Sequence, residues 1–422
     1  MLGQRIKALR NDANMTQQEL AEGIISRTYL SLIEQNTVYP SMNVLKKLSE
    51  RLNCTLEEFT LEDSDKSVSL LSIKKEIKWA ENQVIISNFS KLPHFLEQHY
   101  ENLNTLSKEE QAVTLWINAS YLFHQASYEE SEDYALRAKA IAETFKDVTL
   151  HLRCLELLGQ IQFKKDKKDE AISYLNEANK IAIFENVVST DRISILTYLA
   201  QFYSRIGEYY VAINLSNEAL DLNQKLNVHY KAIELENILG RSFRALKKRD
   251  ESEYHFNRAV MYCELSEINF DYIGSISNLA LLLNERKRYD EAYQLIKNAN
   301  DLLDKHQFKH PFAKYIRLHF AEILINKGEL NAAMGILDEY AEQDETGYGF
   351  ELVGDVLYKR KDYDNALKYY HKSLEGDDIP FYFIEALQKI AKIYELKGNY
   401  QKSNEYLKKC IKLYEEITPN MI

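Results

Sequence analysis

Glycine and proline are scarce in this chain. Its 422 residues include 13 glycines and 5 prolines. Hairpins and β-sandwiches need these residues at their turns, so their scarcity argues against a β-rich fold and favours helices joined by short loops. The sequence therefore predicts an all-α protein, and its length predicts several domains or an array of repeats.

Cysteines and long apolar runs are also limited. The four cysteines, Cys54, Cys154, Cys263 and Cys410, lie far apart in sequence and form no Cys-x-x-Cys pair. We interpret them as reduced, buried thiols rather than as disulfide partners or metal ligands. No run of 18 apolar residues occurs, and the N-terminus lacks the apolar core of a signal peptide. We therefore expect a cytoplasmic protein with no membrane partner.

Motifs that carry catalysis are missing from the sequence. There is no phosphate-binding loop, no Gly-x-Ser-x-Gly and no His-Glu-x-x-His. His306 and His310 have the spacing of one helix face, but Pro311 follows them and no third ligand is apparent. We expect no catalytic residues, no metal and no cofactor, and hence no enzymatic function.

Signals for helix starts follow one another closely in the first 60 residues. Thr16 and Glu19 have the spacing of a capping box, and Gly23 permits a tight exit from the helix that they begin. Ser26 is placed to cap a second short helix, and Ser41 begins a later one with an apolar stripe. The pattern predicts a compact bundle of short helices.

Residues 3–60 resemble the repressor/Cro-type (XRE) helix-turn-helix, which has the lambda repressor-like fold. The resemblance rests on Thr16-Gln-Gln-Glu-Leu-Ala, on Ser26-Arg-Thr-Tyr-Leu-Ser-Leu-Ile-Glu34 and on Tyr39-Pro-Ser41. It implies that residues 1–60 bind double-stranded DNA; a small helical bundle with no DNA role is the alternative. The base-reading residues that it implies are Arg27, Thr28, Ser31 and Leu32, and the backbone-contacting residues are Arg10, Gln17 and Asn36.

The distribution of charge limits how such a domain can bind DNA. The chain carries a net charge of −11, although residues 1–60 are neutral, with seven Lys or Arg and seven Asp or Glu. Phosphate affinity comes from basic residues, so one neutral domain attracts DNA weakly. We therefore expect a homodimer or higher homo-oligomer.

A polar segment at residues 61–67 predicts a linker. Helical periodicity returns after it, so residues 68–110 are interpreted as a divergent helical pair. Residues 111–418 then repeat one frame of small residues, which resembles the tetratricopeptide repeat (TPR) and predicts a right-handed superhelical solenoid of helix pairs. The small residues at position 20 of the successive copies are Ser131, Ala171, Ala212, Ser252, Ala292, Ala333, Ala366 and Ser403.

In TPR proteins the first helix of each pair lines a concave surface that binds peptides or partner helices. Asparagine and glutamine amides suit the main chain of an extended peptide, and arginine suits a carboxylate. For every such residue a solvated face or a contact between repeats is the alternative. The family's ligand positions imply a peptide site made of Glu156, Gln160, Tyr198, Gln201, Arg205, Asn237, Arg241, Arg244, Asn278 and Asn284, with Gln201, Asn237, Arg241 and Asn278 as its main contacts.

The combination of this helix-turn-helix with a long TPR solenoid resembles the RNPP family of quorum-sensing receptors, in its NprR/PlcR-like members. The resemblance implies a cytoplasmic transcription regulator that binds a short signalling peptide in the concave groove. One alternative is a regulator that sequesters a response-regulator or phosphotransfer protein through residues 68–140. A DNA-tethered scaffold with no peptide ligand is the other.

Overall fold

The computed structural model describes residues 2–13, 15–56, 65–100, 103, 106–264, 270–307, 312–340, 347–375 and 380–417. All regular elements within these ranges are helices, which confirms the all-α prediction. The chain forms two compact units, Met1–Asp147 (unit 1) and Val148–Ile422 (unit 2). Within the same ranges, no helix has both the length and the apolar character needed to cross a bilayer.

Four short helices open unit 1. They are α1 (Leu2–Asp12), α2 (Gln17–Ala21), α3 (Arg27–Glu34) and α4 (Met42–Arg51). Apolar side chains from all four helices meet in one small core, which excludes water and holds the bundle together. The most completely buried of them are Ile6, Leu20, Leu30, Ile33 and Leu48.

Thr16 and Glu19 form the predicted capping box at the start of α2. Thr16 Oγ1 accepts a hydrogen bond from the Glu19 amide at 3.2 Å, and the Thr16 amide donates to Glu19 Oε2 at 2.6 Å. The predicted cap of α3 is also present, because Ser26 Oγ accepts from the Tyr29 amide at 3.1 Å. These caps satisfy amides that the helices leave unpaired, and they fix the turn between α2 and α3.

The rest of unit 1 contains four longer helices: α5 (Asp65–Ile85), α6 (Leu92–Tyr100), α7 (Lys108–His124) and α8 (Tyr128–Phe145). Because α5 begins at Asp65, the last three residues of the predicted linker belong to a helix, while residues 61–64 lie outside the described ranges. An ion pair of 3.4 Å between Lys74 Nζ and Glu110 Oε1 joins α5 to α7. The pair α7–α8 is the first copy of the predicted repeat.

Unit 2 continues with seven further helix pairs. The first helix of each pair, called here the A helix, is α9 (Val148–Lys164), α11 (Thr190–Arg205), α13 (Ala232–Ala245), α15 (Phe270–Glu285), α17 (Ala313–Lys327), α19 (Tyr348–Lys359) or α21 (Pro380–Leu396). The second, the B helix, is α10 (Lys168–Phe184), α12 (Tyr209–Leu226), α14 (Arg249–Glu264), α16 (Tyr289–His306), α18 (Leu330–Tyr340), α20 (Tyr363–Ser373) or α22 (Tyr400–Ile417).

Small residues let the two helices of a pair approach closely. A Cβ atom placed on Gly240 of α13 would lie 2.5 Å from the Phe256 ring of α14, and one on Gly354 would lie equally close to Tyr370. Ser252 of α14 sits near enough for its Oγ to donate to the Gly240 carbonyl at 2.8 Å. The repeat frame predicted from the small residues is therefore the frame of the helix packing.

The A helices line the inner side of unit 2. Each of them from α9 to α19 contacts the next A helix along the chain, whereas no comparably extensive contact joins successive B helices in the described ranges. Because the A helices lie closer together than the B helices, the row of pairs curves toward the A side. The exposed face of the A helices is therefore a concave surface, as TPR solenoids have.

Candidate functional sites

The outer side of α3 carries the residues that were predicted to read DNA bases. Arg27 and Thr28 are exposed in its first turn, and Ser31 and Leu32 are half-buried one turn later. The opposite side of the helix fills the core of the bundle. The Arg27 guanidinium and the Thr28 hydroxyl therefore lie on the outer side of α3 at its N-terminal end. Base reading by the four residues stays a prediction.

Arg10 has a different role from the backbone contact predicted for it. Its Nε lies 2.7 Å from Glu34 Oε1, and its Nη1 donates to the Met15 carbonyl at 2.6 Å. Glu34 is buried and also accepts from Gln17 Nε2 at 2.8 Å. A buried carboxylate needs such partners, so the Arg10 guanidinium is used inside the domain and is not presented to phosphate. Gln17 shares this network but is half-buried at the start of α2, where its phosphate contact stays a prediction.

Asn36 fastens α1 to the end of α3. Its Oδ1 accepts from the Gly3 amide at 2.8 Å, and its backbone is left-handed, with φ of 59°, a conformation that asparagine tolerates. Gly3 is needed for this contact, because a Cβ there would meet the Ile33 carbonyl oxygen at 1.7 Å. Asn36 is exposed, so the predicted contact with the DNA backbone stays a prediction.

The ten residues predicted to bind peptide all lie on four consecutive A helices of unit 2. Glu156 and Gln160 are on α9, and the remaining eight are on α11, α13 and α15. These helices line the concave surface, and peptide binding by the ten residues stays a prediction. The hydrogen bonds made by the ten side chains divide them into groups with different roles.

Asn237 is committed to the contact between two A helices. Its Nδ2 donates to Ser275 Oγ at 2.8 Å and to the Ile233 carbonyl at 3.1 Å, and its Oδ1 accepts from Asn278 Nδ2 at 3.1 Å. The side chain is only 8% exposed. Its donor and acceptor groups are thus occupied within the solenoid, and the structure favours the alternative of an inter-repeat contact over a main contact with peptide.

Arg244 and Asn284 are likewise paired between repeats. Arg244 Nε donates to Glu285 Oε1 at 2.7 Å, from α13 to α15. Asn284 Nδ2 donates to Glu322 Oε1 at 2.9 Å, and its Oδ1 accepts from Asn326 Nδ2 at 3.2 Å, from α15 to α17. For these two residues the structure therefore favours the alternative of an inter-repeat contact, which holds neighbouring A helices together.

Arg205 and Arg241, called here the arginine pair, remain available. Both are exposed on the concave surface, and neither guanidinium has a carboxylate partner among the described residues. The Arg205 guanidinium lies over the Phe163 ring, 4.9 Å from its centre. The surrounding protein removes part of the water around Arg241, and the positive charge of Arg205 adds to this effect, which lowers the pKa of Arg241 to about 10. Gln201 precedes Arg205 by one turn and makes no hydrogen bond within the described ranges. Two guanidinium groups without carboxylate partners on one concave surface could together bind an anion.

Glu156 and Tyr198 lie near a basic residue that the sequence analysis missed. Glu156 Oε1 accepts from Ser194 Oγ at 2.9 Å and from Gln160 Nε2 at 3.2 Å. Burial raises the pKa of Glu156 to about 7, although the nearby charge of Lys231 opposes the shift. Lys231 Nζ lies 4.8 Å from the centre of the Tyr198 ring, a cation–π contact. Lys231 precedes α13, so the rule based on helix positions did not select it.

Lys389 of α21 bridges two carboxylates of α19. Its Nζ lies 2.7 Å from Glu351 Oε1 and 2.8 Å from Asp355 Oδ2. Glu351 is only 2% exposed, yet its Oε2 has no hydrogen-bond partner in the described part of the chain. Burial raises the pKa of Glu351 to about 7, the charge of Lys389 opposes this shift, and the charges of Asp355 and Glu385 add to it. The single positive charge of Lys389 is therefore smaller than the negative charge of the carboxylates around it.

Glu322 of α17 and Glu385 of α21 add to this negative charge. Burial raises the pKa of Glu322, the Tyr348 hydroxyl that donates to it opposes the shift, and the charge of Glu385 adds to it. Glu385 is exposed and has no ion-pair partner among the described residues. We call Glu322, Glu351, Asp355 and Glu385 the acidic cluster.

The acidic cluster was missed although the repeat frame contained the signal. Counting from the small residues Ala321, Gly354 and Ala391 puts its members at the same helix-A positions that selected the residues of α9 to α15. The prediction covers the residues of α9 to α15 only, so the equivalent positions of α17, α19 and α21 lie outside it. The concave surface of unit 2 therefore has a basic region on α11 and α13 and an acidic region on α17 to α21.

Comparison with known proteins agrees with this architecture. A helix-turn-helix family model matches residues 6–59, and tetratricopeptide-repeat models match residues 152–182 and 348–416. The transcriptional activator NprA of Geobacillus stearothermophilus is 24% identical over 282 residues, which cover 66% of this chain and 67% of NprA.

Two solved structures resemble the fold over most of the chain. A Rap protein complexed with Competence and Sporulation Factor has a TM-score of 0.61 at 12% identity, and the match covers 83% of this chain and 99% of that one. NprR in complex with its cognate peptide NprX has a TM-score of 0.57 at 16% identity, with 84% and 100% covered. The molecule thus joins a helix-turn-helix to a TPR solenoid. The helix-turn-helix and tetratricopeptide-repeat matches and the similarity to NprA support the resemblance to the RNPP family that the sequence indicated.

Proposed function

We propose that this chain is a quorum-sensing transcription regulator that binds double-stranded DNA through α3 and a short signalling peptide on the concave surface of unit 2. The observation that carries the proposal is the arginine pair: Arg205 and Arg241 are exposed on that surface without carboxylate partners. The peptide complex of NprR and the helix-turn-helix match to residues 6–59 support the two halves of the proposal.

The arginine pair would hold a carboxylate of the peptide. A guanidinium offers donors in a fixed plane that match a carboxylate, and such charged hydrogen bonds are stronger than neutral ones. Gln201, one turn before Arg205, has both a donor and an acceptor for peptide main chain. Asn278 on α15 is half-buried and has a carbonyl oxygen besides the amide that it donates to Asn237.

A pool of random synthetic heptapeptides tests peptide binding without knowledge of the natural signal. Full-length protein is incubated with the pool, separated by size exclusion, and analysed by mass spectrometry. We expect the retained peptides to be lost when their C-termini are amidated, and to be lost from the Arg241→Ala variant. Arg249→Ala, an exposed arginine on a B helix, is the matched control. Equal retention by wild type and Arg241→Ala would reject this site.

Selection from a library of randomised DNA duplexes tests the other half of the proposal. Full-length protein should enrich a defined sequence, and the enriched duplex should bind more tightly than a scrambled one at the same salt concentration. Enrichment of no sequence would leave only non-specific attraction and would reject a regulator that reads DNA.

We also propose that two copies bind one operator and that the peptide alters this binding. Binding of two copies is inferred from the zero net charge of residues 1–60, which gives one copy little attraction to DNA phosphates. The peptide can alter DNA binding only if it binds one arrangement of the protein more tightly than another. Titration of the enriched duplex should therefore show two copies bound per site, and adding a retained heptapeptide should shift the affinity.

Sequestration of a response-regulator protein through residues 68–140 stays an alternative prediction. The likeness to the Rap structure concerns the fold alone and does not favour this function over DNA binding. A duplex-selection experiment that fails while full-length protein captures a purified response regulator would favour it.

A further inference from the structure

The acidic cluster has no place in the peptide contacts considered so far. Its four carboxylates come from three successive A helices. Lys389 is ion-paired with two of them, Glu351 and Asp355, while the charges of Arg244 and Lys389 oppose the rise in the pKa of Glu322. The cluster lies on the same concave surface as the arginine pair, at the end of the solenoid toward α21. Its position makes it accessible to the ligand that the arginine pair would bind.

The cluster also has an unsatisfied group. Glu351 is 2% exposed, and its Oε2 has no hydrogen-bond partner in the described ranges, while its Oε1 takes the bond from Lys389. A buried carboxylate oxygen without a partner is costly, because it has lost water and gained nothing in return. Glu385, the exposed member of the cluster, has no ion-pair partner among the described residues. A second cation would satisfy both groups.

We propose that the acidic cluster binds a cationic group of the peptide, so that the ligand lies across unit 2 with its carboxylate at Arg205 and Arg241 and its amino end toward α21. This inference rests on the proposed function. A peptide with free termini has the required charges at its two ends. A lysine or arginine side chain near the amino end has the same chemistry, and the test separates these sources.

The spacing of the helices sets the length of such a ligand. Three steps between adjacent A helices separate α13 from α19, and packed helices lie about 8–10 Å apart. An extended peptide rises about 3.3 Å per residue, so a ligand that reaches both regions has about seven to nine residues. Pentapeptides should reach only one of the two regions.

Four pools of nonapeptides made only from uncharged residues test the proposal on full-length protein. Their termini are both free, N-acetylated, C-amidated, or N-acetylated with a lysine at position 1 or 2. Retention of each pool is measured by equilibrium dialysis and mass spectrometry. The proteins are wild type, Glu385→Gln, Arg241→Ala and Glu415→Gln, the last a matched control on the B helix α22.

We expect N-acetylation to reduce retention by wild type about tenfold, the scale of a lost charged hydrogen bond. Glu385→Gln should reduce retention of the free pool by a similar factor and leave the acetylated pool unchanged, and Glu415→Gln should behave as wild type. If the acetylated pool with lysine regains binding, the cationic group at the acidic cluster is assigned to a side chain. If it does not, that group is assigned to the amino terminus.

Failure of this inference can be told from failure of the proposed function. If amidation or Arg241→Ala abolishes retention while acetylation and Glu385→Gln have no effect, the peptide binds at the arginine pair and the acidic cluster takes no part. If wild type retains none of the pools, the proposed peptide function itself is rejected, and the inference is rejected with it.

Discussion

Asn278 Nδ2 donates to Asn237 Oδ1 across 3.1 Å, from one A helix to the preceding one. The bond places two amides in the seam between adjacent repeats, where Asn237 also holds Ser275. Side chains at ligand positions of a TPR helix therefore serve two purposes here: some join the repeats and others are left for a ligand. The arginine pair belongs to the second group because no carboxylate partner for either arginine is found among the described residues.

We predict that Asn237→Ala destabilises unit 2. The substitution leaves the Ser275 hydroxyl and the Asn278 amide without their partner in a mostly buried seam, at a cost of about 1–3 kcal/mol. Thermal unfolding followed by circular dichroism should show a lower midpoint than for wild type. Asn298→Ala, an exposed asparagine on the B helix α16, is the control. A wild-type midpoint in Asn237→Ala would show that the seam does not depend on these bonds.

Much of the fold could be predicted because it depends on local sequence signals. The Thr16–Glu19 capping box and the small residues Gly240 and Ser252 impose caps and close helix contacts wherever they occur. Each repeat contacts mainly its neighbours, so a frame read from one copy applies to the others. The concave face followed from the same frame.

The use of each side chain on that face could not be predicted in the same way. Whether Arg244 faces a ligand depends on Glu285, which lies 41 residues later in the chain. Whether Arg10 is free to contact DNA depends similarly on its ion pair with Glu34. Such pairs require knowing which turns of two helices lie side by side, and the spacing within one helix does not contain that information.

We predict that Arg27→Ala removes discrimination between DNA sequences without affecting folding. Arg27 is exposed in the first turn of α3, and loss of a good base contact costs about 1–3 kcal/mol. Affinity for the enriched duplex should fall toward that for a scrambled duplex, measured by fluorescence anisotropy at one salt concentration. Lys47→Ala removes an equal charge at an exposed residue of α4 and should weaken binding to both duplexes alike. Retained discrimination in Arg27→Ala would reject the assignment of α3 residues to base reading.

We predict that Arg10→Ala destabilises the helix-turn-helix rather than only weakening its DNA contacts. Glu34 would remain buried without its guanidinium, and breaking such a pair costs about 3–5 kcal/mol. Hydrogen exchange of α1 to α4 in the full-length protein measures this loss, and Lys7→Ala, at an exposed residue of α1, is the control. The double variant Arg10→Met with Glu34→Leu should recover most of the protection, since replacing both ions leaves no buried charge. Normal exchange in Arg10→Ala would contradict the structural role.

We predict that Glu156 makes unit 2 less stable as the pH rises from 6 to 8. Burial raises the pKa of Glu156 from 4.5 to about 7 in the folded protein, so the fold favours the protonated carboxyl. This contribution to stability is fully present below the unfolded pKa of 4.5 and is lost as the pH rises through the folded pKa of about 7. The loss between pH 6 and 8 is of the order of 1 kcal/mol.

The Glu156→Gln variant isolates this effect from other groups that titrate in the same range. Burial also raises the pKa of Glu351 to about 7, and it lowers the pKa of His319 to about 3, which has the opposite effect on stability as the pH rises. The quantity to measure is therefore the difference in unfolding midpoint between Glu156→Gln and wild type at pH 6, 7 and 8. Because glutamine stays neutral and retains an acceptor for Ser194, the difference should move in favour of the variant as the pH rises. A difference that stays constant over this range would mean that the Glu156 carboxylate is ionised in the fold without a penalty, and that Lys231 compensates for its burial.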